Sequence, residues 1–190
     1  MELTFDKKRY FMVVQFSLNY QRQSMKKMIF FGVVFFSLLI SYNSSAQTTI
    51  SSADFKPLFG SWSGTLTYIN YSDGTPFSMP VGLSIVQTEE TNNFTFYFSF
   101  PDEPQANSEE IVSISGDGTL LNGEPVISKR LLEDGNLEVV TESMGRDANK
   151  PATIRHTYII GGDVFVTRED VQFVGQEEWL NRNEFNFKKD

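Results

Sequence analysis

The sequence predicts an all-β fold: an antiparallel up-and-down β-barrel of about eight to ten strands, following a cleavable N-terminal signal helix. Three observations carry that prediction. Beyond Gly60, apolar and polar residues alternate with a period of two in run after run. Short turns rich in Asn, Asp and Gly separate the runs, and such turns join antiparallel neighbours. No window past residue 46 carries a long apolar stripe at the helical spacing of 3.6. Closing the sheet satisfies so many half-apolar strands best, because closure removes exposed edges.

Taken in chain order, the first signal begins at Met25. Lys26 and Lys27 precede an apolar run from Met28 to Ile40, and Ser44-Ser45-Ala46 stands before Gln47. Basic start, apolar centre and small-residue cleavage site are the three regions of a secretory signal peptide. The run from Ile29 to Ile40 is 12 residues, short of the roughly 20 that a membrane-spanning helix needs. Residues 25–46 are therefore expected to be removed. Residues 1–24 add nothing such a signal requires and read as an over-extended start. The remaining 144 residues, 47–190, make one domain.

The chain has no cysteine. Disulfides, thiolate metal sites, a cysteine nucleophile and the lipidated cysteine of a bacterial lipoprotein are thereby excluded. The expected product is soluble, in the periplasm or outside the cell, with no stable membrane anchor. Losing residues 1–46 removes six basic and two acidic residues, so the net charge moves from −8 to −12. So acidic a surface repels nucleic acid and anionic headgroups, and it also keeps an exported protein soluble.

Within the domain, residues 54–59 read as one helical turn with Asp54 as N-cap and Pro57 early in it. In a barrel such a turn plugs the closed end. Gly60 to Asn70 alternates Trp62, Gly64, Leu66 and Tyr68 against Ser and Thr. Phe77 to Gln87 sets Phe77, Met79, Val81, Leu83 and Ile85 on one side, and Phe94, Phe96, Phe98 and Phe100 follow. Shorter strands are expected at residues 110–115, 126–132, 137–141, 153–160, 164–167 and 179–187. Residues 101–109 and 143–151 break the rhythm and read as solvated connections.

Gly60-Ser61-Trp62, opening the first strand after a helical turn, resembles the lipocalin or calycin group of small barrels. The resemblance implies that Trp62 packs across the closed end beneath a terminal arginine, here Arg182, as a structural cation–π pair. Alternation sets Arg182 opposite Phe185 and Phe187, so a bulge is needed to bring it there. Trp62 to Ser72, Ile154 to Tyr158 and Arg182 to Phe185 together resemble uncharacterised exported lipocalin-like bacterial proteins. The Ser-Ala-Gln context is similar to exported proteins of the Bacteroidetes. The group implies a fold and a location and transfers no activity.

His156 is the only histidine and shares strand parity with Ile154, Tyr158 and Ile160, an inward position. A hydrogen-bonded core histidine is the plainer reading; a ligand contact or general base is the sharper one. Nitrobindin-like barrels hold haem through one histidine, which keeps haem as a minority alternative to no cofactor. A metal site would need several carboxylates and is not expected. The paired acids from Glu89-Glu90 to Glu177-Glu178 send at most one group inward each, since strand neighbours face opposite ways. No Gly-x-Ser-x-Gly elbow marks a serine nucleophile.

The Phe stripe reads first as packed core. Barrels of about eight strands also stand at the boundary between a filled interior and one small ligand. Should a pocket exist, Tyr68, His156 and Tyr158 supply its polar tips and Phe96 and Phe98 its walls. The leading expectation is thus a barrel binding a small, mainly apolar molecule. A filled barrel meeting a protein partner, and a hydrolase or isomerase using His156, are the alternatives. No catalytic set is evident, which weighs against an enzyme.

Overall fold

The computed structural model describes residues 47–71, 73–89 and 92–190. The signal peptide and the residues before it lie outside the described residues. Ten antiparallel strands form one sheet in the order β4-β3-β2-β1-β10-β9-β8-β7-β6-β5. They are β1 (Gly60–Ile69), β2 (Pro76–Gln87), β3 (Asn93–Ser99), β4 (Ser108–Ser113), β5 (Leu120–Leu121), β6 (Glu124–Leu131), β7 (Leu137–Asp147), β8 (Lys150–Ile160), β9 (Val164–Phe173) and β10 (Leu180–Lys189). First and last strands pair from Trp62↔Lys189 to Tyr68↔Asn183. The two sheet ends, β4 and β5, meet through an Ile114–Leu121 bridge and the Asn122 N–H donating to the Ser113 carbonyl at 2.8 Å. The barrel is nearly closed, which is what the alternating runs require.

The closing seam depends on Gly64. A Cβ there would lie 2.2 Å from the Asn186 carbonyl oxygen and 2.8 Å from Phe187 Cδ1. Only glycine lets β1 and β10 approach so closely.

At one end, helix α1 (Ser52–Phe55) and a 3-10 turn (Lys56–Leu58) plug the barrel. The helix starts one turn before its expected place, and Ser51, not Asp54, is the N-cap. Asp54 stands at the third position and its carboxylate accepts from the Ser51 N–H at 2.7 Å, completing a capping box. Phe55 and Leu58 are buried, and Phe55 stacks on Phe94 at 5.4 Å. The Trp62 indole N–H donates to the Leu58 carbonyl at 2.7 Å, tying plug to first strand.

The pairing expected of Trp62 with Arg182 does not occur. Lys189 covers the indole instead, its Nζ 4.8 Å from the ring centroid and donating to the Pro57 carbonyl at 2.7 Å. The register explains the exchange: Lys189 faces Trp62 across the seam, while Arg182 lies at the other end of β10. A bulge between Asn181 and Asn183 does interrupt β10 there. It turns Arg182 toward Asp147, with Nη2 2.6 Å from Oδ2, and places the guanidinium 4.5 Å over the Tyr71 ring. Tyr71 closes this latch by donating its hydroxyl to Asp147 Oδ1 at 2.5 Å.

Residues 143–151 form no loop. β7 and β8 continue through them to a two-residue turn at Ala148 and Asn149, whose φ values of 45° and 65° are those of a tight hairpin. Phe77, expected inward, is exposed and packs on Tyr68 at 5.3 Å near the β1–β2 turn.

Candidate functional site

The barrel interior divides in two. Toward the plug, Trp62, Phe94, Phe96, Phe165 and Phe187 fill it, with Phe165 and Phe187 stacked at 6.0 Å. Beyond them lies a cavity of about 310 Å³. Phe96, Phe98 and Phe185 form its apolar wall, and Phe98 packs on Phe185 at 5.4 Å. The Phe stripe is thus core at one end and cavity wall at the other.

A polar belt crosses the opposite wall at one level of the sheet. Cross-strand register sets Asn183 of β10 against Glu169 of β9, Glu169 against His156 of β8, and His156 against Thr141 of β7. Side chains of directly opposed residues lie on one face, so all four point inward. Glu124, opening β6, completes the belt. Its carboxylate accepts from Thr141 Oγ1 at 2.7 Å, from Ser143 Oγ at 2.9 Å and from His156 Nδ1 at 2.8 Å. A carboxylate can only accept, so Nδ1 carries the proton.

His156 Nε2 faces Glu169 at 3.7 Å, too long for a direct hydrogen bond. Glu169 in turn accepts from Asn183 Nδ2 at 3.1 Å. The Glu169 carboxylate raises the His156 pKa above its ordinary 6.5, burial opposes it, and the charge and hydrogen bond of Glu124 add to the rise. The facing His156 in turn lowers the Glu169 pKa against burial, with Asn183 and the Arg182 charge helping. Burial works to raise Glu124, but Thr141, His156 and Ser143 outweigh it and the net shift is downward. Both carboxylates thus favour the charged form of the imidazole.

Tyr158 stands two residues along β8 and lines the same cavity. Burial holds its phenol well above the ordinary range, and the Glu124 and Glu110 charges push the same way. Its hydroxyl makes no hydrogen bond to another described residue and is open to the cavity. Glu110 lines the cavity from β4 and is exposed.

The structure therefore gathers His156, Tyr158, Phe96 and Phe98 around one cavity. Tyr68 is not among its lining residues: it is 37% exposed, near the β1–β2 turn. Sequence reasoning missed Glu124 and Glu169 as individual residues. Glu169 lay within an acidic doublet of which at most one member could face inward. Glu124 shares parity with buried Val126, a signal obscured by the adjoining Asn122-Gly123 turn and Pro125.

The three ionisable belt groups do not converge on a point, because the carboxylates approach different ring nitrogens. Among the described residues no grouping of His and carboxylates has the form of a metal site. Haem iron would require an unprotonated imidazole nitrogen, and neither nitrogen is free of a facing carboxylate.

No protein-family model matches the chain, and no curated protein matches it. Among solved structures it is similar to Rv2717c from M. tuberculosis, at 14% identity and a TM-score of 0.48, covering 74% of this chain and 99% of that one. It is also similar to a protein of unknown function of the DUF3598 family from Nostoc punctiforme. There the identity is 13% and the TM-score 0.36, over 75% of this chain and 50% of the other.

Proposed function

We propose that this chain is an exported barrel that binds one small molecule in its interior. The observation that carries the reading is the cavity of about 310 Å³ whose apolar wall faces a preformed polar belt. A ligand site is typically such a concavity, largely apolar, with a few fixed polar groups. The belt's side chains are already held by one another, so they need no reorganisation on binding. The Tyr158 hydroxyl supplies an unmet hydrogen-bonding group. The ligand is small and mainly apolar, with its body on Phe96, Phe98 and Phe185 and one polar end at the belt.

Export rests on the signal at Met25 to Ala46, and the missing cysteine excludes a lipoprotein's lipid anchor. The mature protein is then a soluble periplasmic or extracellular member of an exported lipocalin-like group. It binds neither nucleic acid nor membrane. N-terminal sequencing of the protein from its host should begin at Gln47.

Native mass spectrometry of protein purified from its own host tests the binding reading. The expected result is a retained small mass at one per chain, lost on denaturation. A bare chain whose cavity stays empty under every extract tested would overturn it.

A second reading is favoured by one observation: His156 stands between two carboxylates with a cavity reaching all three. That is the arrangement of a general acid and base, as a hydrolase or isomerase acting on the bound molecule would need. Deuterium exchange from solvent into the bound molecule, abolished by His156→Ala, would distinguish turnover from simple binding.

A further inference from the structure

We infer that the cavity selects an organic cation, an ammonium group carried on an apolar or aromatic frame. The inference rests on the ligand-binding reading above and deepens it by naming the charge of the ligand's polar end.

Three carboxylates line the cavity from three different strands: Glu110 of β4, Glu124 of β6 and Glu169 of β9. No lysine or arginine does. The single cation in the wall is His156, which lies against Glu124 and Glu169. The Arg182 charge acts on Glu169, but its guanidinium is bound to Asp147 through both Nε and Nη2, at 3.1 and 2.6 Å. With His156 protonated the wall carries two uncompensated negative charges. An ammonium entering there reduces that imbalance, whereas a carboxylate-bearing ligand such as a fatty acid increases it.

The remaining wall independently suits the same chemistry. Phe96, Phe98, Phe185 and Tyr158 line the same cavity as the acidic belt. Ring faces attract an ammonium as well as the hydrocarbon frame behind it. The Tyr158 hydroxyl, without a partner among the described residues, has an oxygen that can accept from the ammonium. A carboxylate cluster alone would only describe a solvated surface. Here it sits inside an aromatic-walled cavity, beside a hydroxyl that is open to the cavity and makes no hydrogen bond to another described residue.

Calorimetric titration of the host-purified protein with phenethylamine, phenethyl alcohol and phenylacetate tests the charge directly. The amine is expected to bind at least roughly tenfold more tightly than the alcohol, with phenylacetate weakest. Glu110→Gln, which breaks no side-chain hydrogen bond among the described residues, and Glu169→Gln should each narrow the gap between amine and alcohol. Equal binding of amine and alcohol, or tighter binding of phenylacetate, would overturn the cation inference while leaving the binding site intact. Should none of the three bind and native mass spectrometry show a bare chain, the binding reading falls and this inference with it. A retained host molecule that ionises only as an anion would overturn the inference by itself.

Discussion

His156 Nδ1 lies 2.8 Å from Glu124 Oε2, across a sequence separation of 32 residues, and Glu169 faces the other ring nitrogen at 3.7 Å. This relationship sets the charge of the barrel interior. Because the imidazole proton on each side meets a carboxylate, the ring stays protonated at a pH where a free histidine has lost its charge.

The first prediction concerns pH. The groups facing His156 from neighbouring strands are Glu124 on β6 and Glu169 on β9, with Arg182 acting on Glu169 from β10. His156 has a raised pKa, so its stabilising contribution is complete below 6.5 and is lost as pH climbs through the raised value. Glu124 and Glu169 have lowered pKa values, so theirs is complete above 4.5 and is lost as pH falls through the lowered values. All three contribute fully between pH 4.5 and 6.5. His156 is the only histidine, so its ring proton resonance titrates unambiguously. The midpoint should lie above 6.5 and fall in Glu124→Gln. An unshifted midpoint in that variant would show that Glu124 does not set the ring's charge.

The second concerns the plugged end. Trp62 is 1% exposed and its N–H holds the Leu58 carbonyl. Trp62→Ala should cost about 3–5 kcal/mol. Lys189→Ala, which removes only the cation over the ring and its bond to Pro57, should cost about 1 kcal/mol. Urea denaturation measures both. A larger loss at Lys189 than at Trp62 would reverse the assignment of strength.

At the opposite end, Asp147 serves Arg182 and Tyr71 together. The Arg182 and Asp147 side chains are 12% and 6% exposed. Asp147→Ala leaves a guanidinium buried without its counterion and should destabilise by about 3–5 kcal/mol. Tyr71→Phe removes one hydrogen bond to the same carboxylate and should cost about 1–2 kcal/mol. Adding Asp147→Ala to Tyr71→Phe should bring less than the sum of the two, because they share a partner.

The closing seam gives a fourth test, by contrast of two glycines. A Cβ at Gly64 meets the Asn186 backbone oxygen at 2.2 Å, whereas one at Gly82 meets the Ser99 hydroxyl, a rotatable side-chain atom, at 2.6 Å. Gly64→Ala should therefore destabilise by about 2–3 kcal/mol or more, and Gly82→Ala by clearly less. Thermal unfolding of the two variants side by side reads the difference. Equal losses would mean that the seam is not the tight point of the barrel.

Most of this architecture was legible in the chain because strand alternation is a local signal. The parity of His156 with Tyr158 placed both inside, and the Phe stripe marked the wall. Features depending on register were not legible. Alternation says which face Arg182 takes but not that Lys189 is Trp62's partner; that needs the β1–β10 pairing. The hairpin through residues 143–151 was hidden because Arg146, Asp147, Asn149 and Lys150 have loop-like polarity, although Ala148 and Asn149 turn in two residues. Glu124 meets His156 only after β6, β7 and β8 are aligned.

The central claim is that the polar belt around His156 is one wall of an occupied binding site. The His156 ring resonance of host-purified protein, recorded before and after unfolding and refolding strips any bound molecule, tests it most directly. The account predicts two distinct chemical shifts, the first restored when the stripped extract is added back. A single unchanged shift, with stability unaltered by the extract, would contradict it.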